Sequence, residues 1–176
     1  MHAPERGSLW YALYVRNRFE KVVATDLRGK GCEEFLPLYR PSRRSSRTKA
    51  IDLPLFPGYV FCRFNPLESM SILTIPGVKA IVGFRRNFMP VDEGKLNAIR
   101  TILKSGNYCE PWPFLQIGER VRVERGPLSG IEGILLTVKN TYHLVISINL
   151  LQQSVAVEID RDCLGRESAR DQAAGC

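Results

Sequence analysis

Leu55-Phe56-Pro57-Gly58-Tyr59-Val60-Phe61 is the most apolar and most aromatic run of the chain, and it predicts a turn followed by a β-strand. Pro57 fixes its own φ angle, and Gly58 can adopt the positive φ that the second central position of a type II turn requires. After the turn, Tyr59 and Phe61 point to one face of the strand. That face is either covered by other parts of the chain or left open for a partner.

The opposite face of the same strand carries Val60, Cys62 and Phe64, which we expect to pack against helices. Upstream, residues 10–15 form a second run rich in aromatic and β-branched side chains, which predicts another strand. A helix follows that strand, and Asn17 is its expected N-cap.

Two further helices are predicted from their first residues. Asn65 is a residue type preferred at the N-cap of a helix, and Pro66 fits the first helical position. Asp92 opens another helix, whose apolar residues recur on one face. Further strands are predicted at residues 33–39, 51–55 and 78–84. The order of elements predicts an α+β domain with an antiparallel sheet of about four strands and helices on one side.

The last third of the chain is predicted to be all-β. Alternating β-branched residues and turn signals recur from residue 117 onward, as in a small barrel of about five strands. We therefore expect a first domain over residues 9–106, a linker over 107–115, a barrel over 116–164 and a flexible tail over 165–176.

Composition limits the classes of function. The 176 residues are 44% hydrophobic, enough for a packed core, and no run of about 18 apolar residues predicts a membrane span. The five cysteines form no C-x-x-C pair, and His2 and His143 are the only histidines. We therefore expect no metal site, no cofactor and no disulfide framework, and a cytoplasmic location. His143 lies in an apolar strand and is expected to be structural, and no catalytic constellation is recognisable.

Positive charge is concentrated in the first part of the chain. Residues 1–110 carry 18 Lys and Arg against 10 Asp and Glu, a net charge of +8, whereas the remainder carries a net charge of −1. Residues 40–50 form a polar loop that contains five cations and no acid. The cations are Arg40, Arg43, Arg44, Arg47 and Lys49. This loop is either a solvated surface loop or a contact with nucleic acid.

Two pairs of motifs resemble one known family. Trp10-Tyr11-Ala12-Leu13-Tyr14, followed by the opening run at residues 55–61, resembles the N-terminal domain of NusG-type transcription elongation factors. The segment at residues 117–123, followed by G-P-x-x-G-x-x-G at residues 126–133, resembles their C-terminal KOW domain. The resemblance spans about residues 9–162, nearly the whole chain.

This resemblance implies a docking site for RNA polymerase. In the family, an apolar hollow on the N-terminal sheet binds the tip of the β′ clamp helices. Mapped by motif, the hollow and its surroundings comprise Trp10, Tyr14, Phe56, Tyr59, Phe61, Ile81 and Phe84. Some relatives also contact the polymerase β subunit, through the segment that corresponds to Ser69-Met70-Ser71.

The resemblance also implies contacts with nucleic acid and with a partner of the barrel. Relatives approach the non-template DNA strand or nascent RNA, through the position of Arg16 and Arg18 and the nearby basic loop. The KOW domain of the general factor contacts termination factor Rho or a small-subunit ribosomal protein, and Leu128 stands where a phenylalanine is usual. The many β-branched residues of this barrel predict that it stays β-structured rather than refolding into helices.

The sequence therefore predicts a monomeric, non-enzymatic bacterial factor that binds RNA polymerase and suppresses pausing or termination. Its basic first domain favours a specialised, operon-restricted paralogue over the general factor. The alternative is a KOW-type RNA-binding or ribosome-associated protein, which leaves the first domain unexplained.

Overall fold

The first half of the chain is built on a four-stranded antiparallel sheet. The computed structural model describes residues 7–41, 51–84, 87–115, 118–138 and 140–164. The sheet consists of β1 (Leu9–Val15), β2 (Glu33–Phe35), β5 (Tyr59–Phe64) and β6 (Val78–Ile81), in the order β2-β5-β1-β6. Two short ribbons pair β3 (Leu38–Tyr39) with β4 (Leu53–Pro54), and β7 (Gly83–Phe84) with β8 (Asn87–Phe88). The helices are α1 (Glu20–Gly29), α2 (Ser69–Leu73) and α3 (Glu93–Ser105).

One face of the sheet packs on α1 and α2. Val60, Cys62 and Phe64 of β5 are buried there, as the alternation of the strand predicted. They share one buried cluster with Leu27 of α1 and Ile72 of α2. The two faces of β5 are therefore oriented as predicted, with Val60, Cys62 and Phe64 toward these helices.

The other face packs on α3, so the expectation that all helices lie on one side is wrong. Leu96 and Ile99 of α3 are fully buried in a cluster with Trp10 of β1 and Phe61 of β5. The reason is that both central strands carry large apolar side chains on both faces. Covering one face alone would leave Trp10 and Phe61 in water, at a cost of roughly 1.5–3 kcal/mol per side chain.

The helix caps agree in part with the sequence. The Asn65 side chain accepts a hydrogen bond from Leu67 N–H at 3.1 Å, and the Asp92 side chain accepts one from Gly94 N–H at 2.8 Å, so both caps are confirmed. Asn17, in contrast, does not cap α1. The first helical residue is Glu20, because Arg18 adopts a positive φ of 66° and turns the chain before the helix begins.

A five-stranded antiparallel sheet forms the rest of the fold, so the predicted all-β character is confirmed. Its strands are β9 (Cys109–Trp112), β10 (Glu119–Arg122), β11 (Glu132–Val138), β12 (Thr141–Ile148) and β13 (Gln153–Ile159), in the order β10-β11-β12-β13-β9. Residues 109–112, expected to belong to a linker, instead pair with β13 from Ser154 to Val157. Pro111 suits this position because β9 lies at the edge of the sheet, where a missing N–H is tolerated.

Hydrogen bonds connect the two parts of the chain and fix the segment between them. Lys95 Nζ of α3 donates to Ser147 O of β12 at 2.6 Å. Leu115 N–H donates to Ser154 Oγ at 3.1 Å, and Ser147 Oγ donates to Leu115 O at 2.6 Å. The segment after β9 is therefore attached to β12 and β13 of this sheet by two serine side chains.

Gly133, the last glycine of the KOW-like motif, is required by a close approach of two strands. A Cβ atom at this position would lie 2.7 Å from Val145 O and 2.9 Å from the Leu144 side chain. We predict that Gly133→Ala lowers the free energy of unfolding of the barrel by about 1–3 kcal/mol, because the backbone of β12 must move. The change in the free energy of unfolding is measured by urea denaturation, with hydrogen exchange of the amides in residues 118–164 as the readout.

The matched control is Gly29→Ala in α1. Nothing lies within 4 Å of a Cβ at Gly29 and its φ is not positive, so this variant is expected to be as stable as the wild type. Equal stability of both variants would contradict the close approach seen at Gly133.

Candidate docking face

Two tyrosines form the exposed part of the sheet face that α3 covers only at one end. Tyr14 of β1 and Tyr59 of β5 are direct cross-strand partners. Their ring centroids lie 5.6 Å apart at an interplanar angle of 47°, within the range of favourable aromatic pairs. Tyr14 is 42% exposed and Tyr59 is half-buried. An exposed aromatic pair on a rigid sheet is a suitable anchor for a protein partner.

The turn at Pro57 and Gly58 sets the position of this pair. Tyr59 N–H donates to Phe56 O at 3.1 Å, and Gly58 has a φ of +83°, as the predicted type II turn requires. Gly58 O accepts a hydrogen bond from Val15 N–H at 2.8 Å. The turn is thereby attached to the end of β1, one residue beyond Tyr14.

Buried aromatic residues support the exposed pair from within the sheet. Phe56 and Phe61 are fully buried, with ring centroids 5.5 Å apart in an edge-on contact. Trp10 is also buried, and the Arg100 guanidinium of α3 lies 4.7 Å from its ring centroid. Phe56 and Phe61, predicted to line the hollow, and Trp10, predicted to lie near it, are inaccessible to a partner in this structure, because α3 covers their end of the sheet.

The remaining two residues predicted for the hollow lie elsewhere. Ile81 is the cross-strand partner of Leu13 and is buried on the face of α1 and α2, so we leave it out of the docking face. Phe84 lies on the β7–β8 ribbon and is 73% exposed. The structure therefore brings Tyr14 and Tyr59 together as an open pair, with Phe84 on a separate ribbon.

One cation lies against the tyrosine pair, and two more follow β1 in sequence. Lys79 Nζ lies 4.9 Å from the Tyr14 ring centroid, a distance typical of a cation–π contact. The Arg16 guanidinium lies 5.5 Å from the Phe19 ring centroid, and both Arg16 and Arg18 are exposed. Arg16 and Arg18, the two arginines predicted to contact nucleic acid, therefore lie within three residues of the end of β1, the strand that carries Tyr14.

The basic loop is described only at its first two residues, Arg40 and Pro41. Arg40 Nε donates to Asp52 Oδ1 at 2.7 Å, and this hydrogen bond, with the charge of the same carboxylate, raises the pKa of Arg40. Arg40 is thus paired with a carboxylate instead of being a free cation for phosphate. The other predicted contacts, Arg43, Arg44, Arg47 and Lys49, lie outside the described residues.

In the barrel, Leu128 is a core residue. It is only 2% exposed and belongs to the same buried cluster as Val121 and Val123. Pro127 and Ser129 on either side of it are exposed. A partner that binds this turn would contact those neighbours and the backbone, whereas Leu128 supports the turn from inside.

The described residues contain no candidate metal site. Within them, no group of three or more His, Cys, Asp or Glu side chains could hold a metal ion. Burial raises the pKa of the thiols of Cys32, Cys62 and Cys109, which keeps them protonated and poorly nucleophilic. His143 is buried and stacks on Trp112 with ring centroids 5.9 Å apart. No helix among the described residues is long and apolar enough to cross a membrane.

Sequence reasoning missed one residue behind the docking face, Glu20. The residue is 4% exposed, and its Oε1 accepts a hydrogen bond from Gly58 N–H at 2.9 Å. A signal was present in the sequence, because Glu20 shares the helical spacing of Val23, Ala24 and Leu27, the buried face of α1. An acid at a core position of a helix indicates a buried hydrogen-bond partner.

Comparisons with known proteins agree on one family. Residues 8–100 match the family model described as "NusG: Transcription termination factor nusG". The transcription termination/antitermination protein NusG of Buchnera aphidicola subsp. Baizongia pistaciae is 30% identical over 168 residues, which covers 86% of this chain and 92% of that protein. The NusG protein of Escherichia coli strain K12 is 26% identical over 171 residues, with the same coverage of 86% and 92%.

A solved structure supports the fold. The structure described as "Domain interaction in Thermotoga maritima NusG" superposes with a TM-score of 0.57 at 18% identity, over 91% of this chain and 97% of that one. At this identity the likeness concerns the fold alone.

Proposed function

The chain belongs to the NusG family of transcription termination and antitermination factors, and we propose that it binds the β′ clamp helices of RNA polymerase through Tyr14 and Tyr59. Members of this family are transcription factors and not enzymes. Termination and antitermination are properties of an elongating polymerase, which makes the polymerase the partner of this proposal. The observation that carries it is the contacting pair of an exposed Tyr14 and a half-buried Tyr59, at the end of the sheet face that α3 does not cover.

The chemistry of the pair suits a helical tip. The two rings provide flat apolar area with few rotatable bonds, so little side-chain entropy is lost when a partner covers them. Lys79 at the edge of Tyr14 adds a cation that a carboxylate of the partner can meet. A partner that packs an apolar side chain on the exposed surface of the two rings and places an acid beside Lys79 would use both features.

Suppression of pausing follows from preferential binding to one state of the polymerase. A factor that contacts the clamp and the opposite side of the cleft binds the closed, elongating state more tightly than the paused state. It thereby shifts the population toward elongation, by no more than its difference in binding free energy between the two states. We place this activity in the cytoplasm, with Rho or a small-subunit ribosomal protein as the partner of the barrel turn at residues 126–130.

Nucleic acid is the second partner of the first domain in this proposal. Arg16 and Arg18 are exposed at the end of β1, and residues 1–110 carry a net charge of +8. A polymerase-bound factor with this charge can hold non-template DNA or nascent RNA near the docking face. The same charge distribution supports a specialised paralogue, which would read an element of particular operons.

We predict that Tyr59→Ala weakens binding to purified bacterial RNA polymerase by about 30-fold, or about 2 kcal/mol, because it removes one ring of the docking pair. The measurement is the dissociation constant from biolayer interferometry, with far-UV circular dichroism to verify the fold. Val22→Ala is the matched control, because Val22 is exposed on α1, on the opposite side of the sheet. Failure of the wild type to bind would end the proposal, as would equal affinities of Tyr59→Ala and Val22→Ala.

A second prediction concerns the basic loop. Replacing Arg43, Arg44 and Arg47 by Gln should weaken binding to single-stranded DNA and flatten the slope of log K against log salt by up to about 2, since each phosphate contact contributes about 0.7. Fluorescence anisotropy at several salt concentrations measures the slope. The control is Arg122→Gln, a single exposed cation of the barrel. An unchanged slope in the triple variant would mean that this loop is solvated and does not contact phosphate.

A further inference from the structure

We propose that Glu20 is a positioning residue, which holds the Pro57–Gly58 turn and thereby fixes the spacing and orientation of Tyr14 and Tyr59. This inference rests on the proposed docking function of the two tyrosines. Glu20 itself does not contact the partner, since its side chain is buried behind the turn.

The burial of Glu20 is unusual and has a specific compensation. Among the described residues, no other carboxylate is buried. Taking a carboxylate out of water is costly unless hydrogen bonds replace its hydration. The Gly58 N–H supplies such a bond at 2.9 Å, and a bond between a charged acceptor and a backbone donor is stronger than a neutral one. The hydrogen bond from Gly58 therefore offsets part of the cost of burying the Glu20 carboxylate.

Gly58 is held through both of its backbone polar groups. Its N–H donates to Glu20 Oε1, and its C=O accepts from Val15 N–H at 2.8 Å. One bond fixes the turn to the beginning of α1 and the other fixes it to the end of β1. Gly58 can adopt positive and negative φ about equally well, so these two bonds add to the turn's own hydrogen bond, from Tyr59 N–H to Phe56 O, in fixing its conformation.

The held turn is in direct contact with the docking pair. A Cβ built on Gly58 would lie 3.6 Å from Tyr14 Cε2, so the Tyr14 ring lies over the glycine. Tyr59 follows Gly58 directly and begins β5. A shift of the Gly58 backbone would therefore move the surface beneath one ring and the attachment point of the other. Gly58 is therefore the one residue through which Glu20 can affect the positions of both rings.

The test compares three variants by two measurements. Glu20→Ala removes the acceptor, Glu20→Gln keeps an acceptor oxygen at the same position, and Val23→Ala removes buried apolar contact from the same helix without touching Gly58. The first measurement is amide hydrogen exchange at Gly58 relative to Val60, which needs no partner. The second is the dissociation constant for purified RNA polymerase, at a temperature at which all variants are folded.

We expect Glu20→Ala to accelerate exchange at Gly58 by about tenfold relative to Val60 and to weaken polymerase binding by about fivefold or more. Glu20→Gln should restore both values to within about twofold of the wild type, and Val23→Ala should leave both unchanged despite its lower stability. If Glu20→Ala behaves like Val23→Ala in both measurements, Glu20 is only structural and the inference is overturned.

Tyr59→Ala separates this inference from the function on which it rests. If Tyr59→Ala weakens polymerase binding and Glu20→Ala does not, the docking function stands and the positioning role is wrong. If neither variant affects binding, the docking function fails. The exchange rate at Gly58 then still reports whether Glu20 holds the turn.

Discussion

The structure depends on one constraint, which is that both central strands of the first sheet carry large apolar side chains on both faces. Helices α1 and α2 cover one face completely, with Val60, Cys62 and Phe64 beneath them. Helix α3 covers the other face only where Trp10 and Phe61 lie. The remaining end of that face carries Tyr14 and Tyr59, whose hydroxyl groups tolerate water better than an aliphatic side chain would. The tyrosine pair is thus the part of a two-sided sheet that the helices do not cover.

Local chemistry predicted much of this fold. The type II turn follows from Pro57 and Gly58, the caps follow from Asn65 and Asp92, and the side-chain alternation of β5 follows from the period of a strand. The all-β character of the last third follows from β-branched residues and glycine turns. Each of these features is decided by a few neighbouring residues, so the sequence contains the information directly.

Other features depend on tertiary contacts that the sequence pattern does not contain. The side of the sheet on which α3 packs is decided by the need to cover Trp10, which lies more than 80 residues earlier in the chain. The edge strand β9 forms because β13 offers an unpaired edge, although prolines made that segment resemble a linker. The burial of Phe56 and Leu128 likewise depends on neighbours distant in sequence, whereas family motifs alone had suggested contact roles for them.

In the proposed docking site, the family motif contains more residues than a partner can reach in this structure, because some of them are buried. A motif such as F-P-G-Y records residues that shape the site together with residues that touch the partner. In this chain Phe56 and Gly58 shape it, and Tyr59 is accessible. The distinction needs burial and hydrogen-bond geometry, because the four residues are adjacent in sequence.

The most direct measurement of the central claim is site-specific photo-crosslinking to RNA polymerase from position 14 or 59, with p-benzoylphenylalanine in place of the tyrosine. Position 22 on the opposite side of the sheet serves as the reference. The account predicts crosslinks from positions 14 and 59 to the β′ clamp helices, identified by mass spectrometry, and none from position 22. Polymerase that binds the chain but crosslinks from neither tyrosine position would contradict it.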